Sequence, residues 1–233
     1  MAGNDGSEGR YASPPCMGGE IAPDYFDPLG VDPEQARDVA RWRRAERLRL
    51  RAERQALSVD ARVAVGAALS GHLRDLLADR FGDMRDRVFS AYWPIKGEPD
   101  LRPLMADLHG TGVQVALPLV EVKQAPLVFR RYAPGDKLTP NGFGTSAPAP
   151  DAEAVLPDIV VAPLLGFTRA GGRLGYGGGF YDRTLEALRK EKQILAVGFA
   201  YGAQEVDALP LSPLDQPLDY VVTEREAIRV RSR

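Results

Sequence analysis

The segment Arg173-Leu-Gly-Tyr-Gly-Gly-Gly-Phe-Tyr-Asp-Arg183 gathers four glycines, two arginines and one aspartate. Glycine lets the main chain approach an anion closely and turn its N–H groups toward it, and a helix that starts just afterwards adds the positive end of its dipole. Arg173 and Arg183 can supply charge beside such a loop. The chemistry that suits this arrangement is polyphosphate binding. The spacing matches neither GxGxxG nor GxxxxGK[ST], so neither a dinucleotide fingerprint nor a P-loop is present. A glycine-rich connector turn with no ligand is the alternative reading of the same residues.

The elements on either side decide where such a loop would sit. Asp158-Ile-Val-Val-Ala-Pro-Leu-Leu165 is short, apolar and rich in β-branched residues, as a buried strand requires. Tyr181, Leu185 and Leu188 then recur at helical spacing, and Gln193-Ile-Leu-Ala-Val-Gly-Phe199 supplies a second buried strand. Strand, loop, helix, strand is a crossover between parallel strands, with the loop at the carboxyl end of the sheet, where ligands bind.

The remaining pattern extends this unit. Residues 36–57 read as a basic helix, and Ser58 with Asp60 marks the start of a second helix whose apolar face (Val63, Ala67, Leu69, Leu73, Leu76, Leu77) runs to about residue 80. Val88–Trp93 and Val113–Val120 read as strands. Between them Pro99 is suited to the first position of a helix lined by Leu101, Leu104, Met105 and Leu108 and ending at His109-Gly110. Leu127–Tyr132 suits an edge strand, residues 133–157 a long loop, and Tyr220–Thr223 a final strand. The expected fold is a three-layer α/β domain, a mostly parallel sheet flanked by helices. Residues 1–35, rich in Gly, Pro, Asp and Ser, are expected to be a disordered extension, leaving 36–233 as a single domain.

Composition narrows the function classes. The 233-residue chain carries a formal net charge of −2, which gives no overall attraction for nucleic acid or membrane. Cys16 is the only cysteine, and His72 and His109 are the only histidines, which argues against disulfides and against Cys- or His-built metal centres. No apolar run approaches the roughly 18 residues of a membrane helix, and no hydrophobic signal region opens the chain, so a cytoplasmic protein is expected. The basic helix admits a nucleic-acid-binding module as a remote alternative, but eight arginines against three acids over 36–57 give only salt-sensitive, nonspecific attraction.

With the glycine segment, Glu98 after a strand, the basic helix ending in Leu57-Ser58, and Asp215-Gln-Pro-Leu-Asp-Tyr-Val-Val-Thr-Glu224 in this order, the chain resembles the 5-formyltetrahydrofolate cyclo-ligase family. The likeness runs from about Arg41 to Glu224 and is most specific from Gly166 to Leu185. It implies ATP- and magnesium-dependent cyclisation of 5-formyltetrahydrofolate to 5,10-methenyltetrahydrofolate with release of ADP and phosphate, on a fold resembling that of sugar-phosphate isomerases and CoA transferases. Another phosphate-ligand enzyme of that fold is the alternative. Its chemistry would need a general base or a nucleophilic glutamate, for which the sequence shows no motif.

The resemblance also implies roles residue by residue. Arg43 and Arg47 stand where the family has a lysine and an arginine on the nucleotide, and Arg173, Gly175, Gly177, Gly178 and Gly179 belong with them as ATP-binding positions. Trp93, Glu98, Tyr176, Phe180 and Tyr181 match substrate-binding positions, and Phe143 is the loop aromatic available to the pterin. Asp182 and Asp215 match carboxylates linked to Mg2+. No side chain is expected to act as a nucleophile, because the substrates supply both nucleophilic atoms. Family members often have lysine at the place of Gly178 and tyrosine at that of Phe180, so here the lysine charge must come from elsewhere or be dispensable, and the tyrosine hydroxyl is absent. No nucleic acid, membrane or obligate protein partner is implied.

Overall fold

The computed structural model describes residues 33–141 and 144–230. Phe143 and the 1–32 portion of the expected extension lie outside the described residues. Val39–Arg233 form one compact unit.

Five parallel strands make the centre of an eight-stranded sheet. In spatial order they are β11 (Tyr220–Val222), β10 (Leu195–Phe199), β7 (Ile159–Pro163), β1 (Val88–Ser90) and β2 (Gln114–Leu119). Antiparallel strands close both flanks: β12 (Ala227–Arg229) beside β11, and β3 (Val128–Arg131) then β6 (Ala154–Val155) beyond β2. The expected edge strand is thus β3, moved one place inward. The segment 133–157, expected to be a loop, supplies the true edge β6 and a small hairpin of β4 (Thr139–Pro140) with β5 (Ser146–Ala147).

Alternation along the central strands builds two cores. Ile159 and Val161 of β7 face one way, with Phe89, Val115 and Val197, against α2 (Val59–Phe81) and α3 (Arg102–Gly110). Val160 and Ala162 face the other way against Leu185 and Leu188 of α4 (Phe180–Glu191). Strands buried on both faces read as continuous apolar runs, which is why the sequence showed them clearly. Helices on both faces give the three layers.

Local chemistry sets the helix boundaries. Ser58 caps α2, its hydroxyl accepting from Ala61 N–H at 3.1 Å. Helix α3 starts later than the Pro99 reading. Residues 95–98 form a turn in which Glu98 N–H donates to the Ile95 carbonyl, and Asp100 Oδ1 accepts from Arg102 N–H at 2.9 Å, so the helix begins at Arg102.

The crossover β7, glycine loop, α4, β10 is present, with one addition: β8 (Gly166–Phe167) and β9 (Arg173–Leu174) form a hairpin ahead of the loop. From β1 the chain crosses by α3 to β2, whereas from β7 it crosses by α4 to β10 on the other side. The crevice at the carboxyl ends of β1 and β7 is therefore the topological switch point of the sheet.

Candidate active site

A cavity of about 790 Å3 opens at that crevice. Residues after β1 (Tyr92, Trp93, Ile95, Lys96, Glu98) form one wall and the loop between β9 and α4 the opposite one. Arg43, Arg47 and Arg51 of helix α1 (Pro33–Ala56) add to the lining, as do Ser212 and Asp215. All the described candidates expected from the sequence line this one cavity: Arg43, Arg47, Trp93, Glu98, Arg173, Gly175, Tyr176, Gly177, Gly178, Gly179, Phe180, Tyr181, Asp182 and Asp215.

The glycine loop has the conformation its composition requires. Gly177 has φ +95° and Gly179 φ +63°, the latter at the N-cap of α4 with no capping side chain. Gly179 has no side chain to offer the first turn of α4, and a helix start capped in this way favours an anion. A Cβ on Gly178 would meet the Phe180 ring at 2.8 Å, so a side chain at that position requires the ring to move.

Helix α1 splits its arginines by face. Residues three or four apart share a side of a helix, and Arg43, Arg47, Leu50, Arg51 and Arg54 all turn inward, while Arg44 and Arg49 face solvent. Arg49 is held there by Glu46 and Glu53. The basic run is therefore divided, with Arg43, Arg47 and Arg51 lining the cavity and Arg37, Arg41, Arg44 and Arg49 exposed.

The cations of the cavity fall into two sets. Arg43 is paired with Asp215 and also donates to the Pro210 carbonyl at 3.0 Å. Arg173, its side chain only 6% exposed, is paired with Asp182 at 2.5 Å. Arg47 forms no ion pair with a carboxylate among the described residues and donates from Nε to the Gly175 carbonyl at 2.8 Å. Its charged guanidinium is disfavoured by loss of water and next by Arg43 beside it, with Asp215 opposing; a bound anion would add to that opposing attraction. Arg51, Arg183 and Lys96 also line the cavity. Arg51 and Arg183 each have a buried Nε without a partner and lie over the rings of Tyr176 and Phe180. Arg51 and Lys96 were not singled out from the sequence. The helical spacing from Arg47 to Arg51 was the available signal for the first.

The wall after β1 is rigidly built. Lys96 and Gly97 both have positive φ, 51° and 76°. The turn is closed by Glu98 N–H on the Ile95 carbonyl and by Ile95 N–H on Glu98 Oε2 at 2.8 Å. Glu98 is only 7% exposed, and Tyr176 donates its hydroxyl to Oε1. Burial pushes the Glu98 carboxyl up from the usual range, against the Tyr176 and Ile95 hydrogen bonds and the charges of Arg54 and Lys96. Trp93 sits edge-on to Tyr132 with ring centres 6.0 Å apart, and Arg102 covers its face. Trp93 thus offers a flat apolar surface to the cavity.

The carboxylates can serve a metal only in company. Among the described residues no group of three or more His, Cys, Asp or Glu could hold an ion. Magnesium, however, commonly takes one or two carboxylates together with phosphate oxygens and water. Asp182 accepts both of its bonds, from Arg173 and from Gln216 N–H, on Oδ1. Asp215 uses both oxygens, on Arg43 and Ser212 N–H. The donor set fits magnesium borne by a polyphosphate and does not fit a resident ion held by protein alone. No described helix is long and apolar enough to cross a membrane.

The profile of the 5-formyltetrahydrofolate cyclo-ligase family matches residues 39–224. The 5-formyltetrahydrofolate cyclo-ligase of Escherichia coli is 40% identical over 132 residues, 54% of this chain and 72% of that protein. The enzyme of the same name from Haemophilus influenzae is 34% identical over 156 residues, 65% of this chain and 81% of its own length. The NMR structure of Aquifex aeolicus 5,10-methenyltetrahydrofolate synthetase superposes with a TM-score of 0.66 at 30% identity, covering 82% of this chain and 94% of that one. A match to the family over most of its length shows that the chain belongs to the 5-formyltetrahydrofolate cyclo-ligase family.

Proposed function

We propose that this protein converts 5-formyltetrahydrofolate to 5,10-methenyltetrahydrofolate at the expense of ATP, releasing ADP and phosphate. The observation that carries the reading is that one cavity joins an anion cradle, Gly175–Gly179 with Arg47, to the carboxylate and indole of Glu98 and Trp93. A phosphoryl donor and a pterin can meet there without any side-chain nucleophile.

The formyl oxygen of the substrate attacks the γ-phosphorus, ADP leaves, and N10 then closes the ring as phosphate departs with that oxygen. The protein's task is alignment and neutralisation of charge on the moving phosphoryl group. Backbone N–H groups of the loop and Arg47 bind the triphosphate. Arg51, Arg183 and Lys96 supply the charge that relatives carry as lysine at the place of Gly178. Arg43 and Arg173 bind phosphate as well as holding Asp215 and Asp182. Magnesium arriving on the nucleotide would neutralise phosphate charge and polarise the γ-phosphoryl group, with Asp182 and Asp215 as the carboxylates to hold it. Glu98 accepts hydrogen bonds from pterin N–H groups, and Trp93, Phe180 and Tyr181 flank the ring. Residues 36–233 act as one catalytic domain in the cytoplasm, without an obligate partner.

The test is purified protein with ATP, magnesium and 5-formyltetrahydrofolate, followed by the absorbance of methenyltetrahydrofolate. Product formation that requires both nucleotide and magnesium is expected. No signal at high enzyme concentration would defeat the reading.

A further inference from the structure

Arg54 is the innermost arginine of α1 and is only 1% exposed. A guanidinium removed from water needs a countercharge and hydrogen-bond acceptors. Arg54 makes no ion pair with a carboxylate among the described residues. Its Nη1 reaches the Leu164 carbonyl at 3.4 Å, its Nη2 donates to the Tyr176 hydroxyl at 2.7 Å, and its Nε is buried without a partner. The Tyr176 hydroxyl in turn donates a hydrogen bond to Glu98 Oε1. Cation, phenol and carboxylate thus form a string in which Glu98 is the countercharge of Arg54, one hydroxyl away.

The string ends on the residue assigned above to the pterin. Glu98 Oε2 is fixed by Ile95 N–H, so Oε1 is the oxygen whose direction the phenol sets. The other groups facing this carboxyl are Lys96 on its own turn, Tyr92 after β1 and Tyr181 on α4, with Arg51 stacked over the Tyr176 ring at 5.8 Å. Only Arg54 and Lys96 among them oppose the effect of burial by charge, and Tyr176 does so by hydrogen bonding.

We propose that Arg54, which lines no part of the cavity, is a positioning residue: acting through the Tyr176 hydroxyl, it holds Glu98 as a charged carboxylate in a single orientation for the N–H groups of the pterin. The proposal rests on the folate reading of the cavity. It gives the loop tyrosine a second duty, since Tyr176 lies between Gly175, whose carbonyl holds Arg47, and Gly177. The phosphate wall and the pterin wall are thereby joined by one side chain.

Tyr176→Phe keeps the ring under Arg51 and Arg54 and removes only the bridge. It should raise KM for 5-formyltetrahydrofolate about tenfold, the worth of one hydrogen bond to a charged group, with KM for ATP within about twofold of wild type. The acid limb of kcat/KM for the folate should move to higher pH. Arg54→Met should move the limb the same way with an added loss of thermal stability, and Arg54→Lys should restore part of it. Independently of turnover, the Glu98 carboxyl carbon can be followed by 13C NMR in glutamate-labelled protein, assigned by comparison with Glu98→Gln. It should titrate at higher pH in Tyr176→Phe and Arg54→Met than in wild type. An active wild type whose Tyr176→Phe variant keeps the folate KM, the acid limb and the Glu98 titration would overturn the proposal alone. Stability lost in Arg54→Met with an unmoved limb would reduce Arg54 to a structural part. A wild type inactive on folate would instead overturn the underlying reading, whatever the Glu98 titration shows.

Discussion

Gly177→Ala is the smallest change that should damage nucleotide binding, and its size can be worked from the loop. A side chain at φ +95° is strained, which costs about 1–3 kcal/mol of stability. The new Cβ would lie 3.2 Å from Arg47 Cζ, tighter than such atoms ordinarily approach, so the guanidinium must give by a few tenths of an ångström. Arg47 is tethered to Gly175, two residues back in the same loop, so a guanidinium displaced by a few tenths of an ångström lengthens that 2.8 Å bond and shifts the cation relative to a phosphate bound on the loop. A hydrogen bond from a cation to phosphate contributes about 1.5–3 kcal/mol, which at about 1.4 kcal/mol per tenfold corresponds to roughly a ten- to hundredfold rise in KM for ATP. The strain should lower Tm by about 2–4 °C for each kcal/mol. The assay is steady-state formation of methenyltetrahydrofolate with ATP varied, alongside thermal unfolding. Arg47→Met should weaken ATP to a similar extent, and the double variant should be little worse than either single one, because both act on the same contact. A Gly177→Ala enzyme with wild-type KM for ATP would refute this chain of reasoning.

Asp182→Asn removes the charge opposite Arg173 and one magnesium carboxylate; kcat should fall at least about tenfold and the magnesium requirement rise, with a stability loss of about 1–3 kcal/mol. Unchanged kcat at unchanged magnesium dependence would remove Asp182 from the metal. Because burial raises the Glu98 carboxyl, it takes up its proton above the ordinary glutamate value of about 4.3, so kcat/KM for the folate should decline on acidification with a midpoint above that value. The stability effect has the opposite sign: folding favours the protonated form, so the Glu98 contribution is full below the unfolded-state pKa and is lost as pH rises through the folded one. Glu98→Gln should abolish both dependences, and a limb at or below the ordinary glutamate value would contradict the assignment. Ser58→Ala deletes the cap of α2 and should cost about 1 kcal/mol, within a range of about 0.5–2, with unaltered KM values, as measured by denaturant unfolding beside kinetics. A kinetic defect from this distant cap would argue that α2 moves during turnover.

The parts of the fold visible in the sequence are those written in local periodicity. β7 and β10 are apolar runs because both of their faces are covered, and α4 announces itself by Leu185 and Leu188 after a glycine loop. The edge β6 and the last strand β12 went unseen because neither carries an apolar run, β12 burying only Ile228 and β6 no residue fully; they exist by pairing with β3 and β11. The start of α3 was misplaced because Pro99 fits the first turn of a helix, whereas the hydrogen bonds of Glu98 and Asp100 hold that stretch in a turn.

The site was legible as a set of residues and less so as a circuit. Arg43 and Asp215 are 172 positions apart, and nothing in local spacing says that they neutralise each other. Arg54 looked like one more arginine in a dense basic run. Its burial follows from the inward face of α1 meeting Leu164 and Tyr176, a tertiary fact.

The central claim is that one cavity holds the triphosphate on the glycine loop and the pterin on Glu98 at the same time. A crystal structure with a non-hydrolysable ATP analogue, magnesium and 5-formyltetrahydrofolate tests it directly. The account predicts phosphate oxygens on the Gly175–Gly179 backbone and Arg47, and pterin N–H groups on Glu98, with the formyl oxygen facing the γ-phosphorus. Nucleotide bound away from the loop, or a pterin that leaves Glu98 untouched, would contradict it.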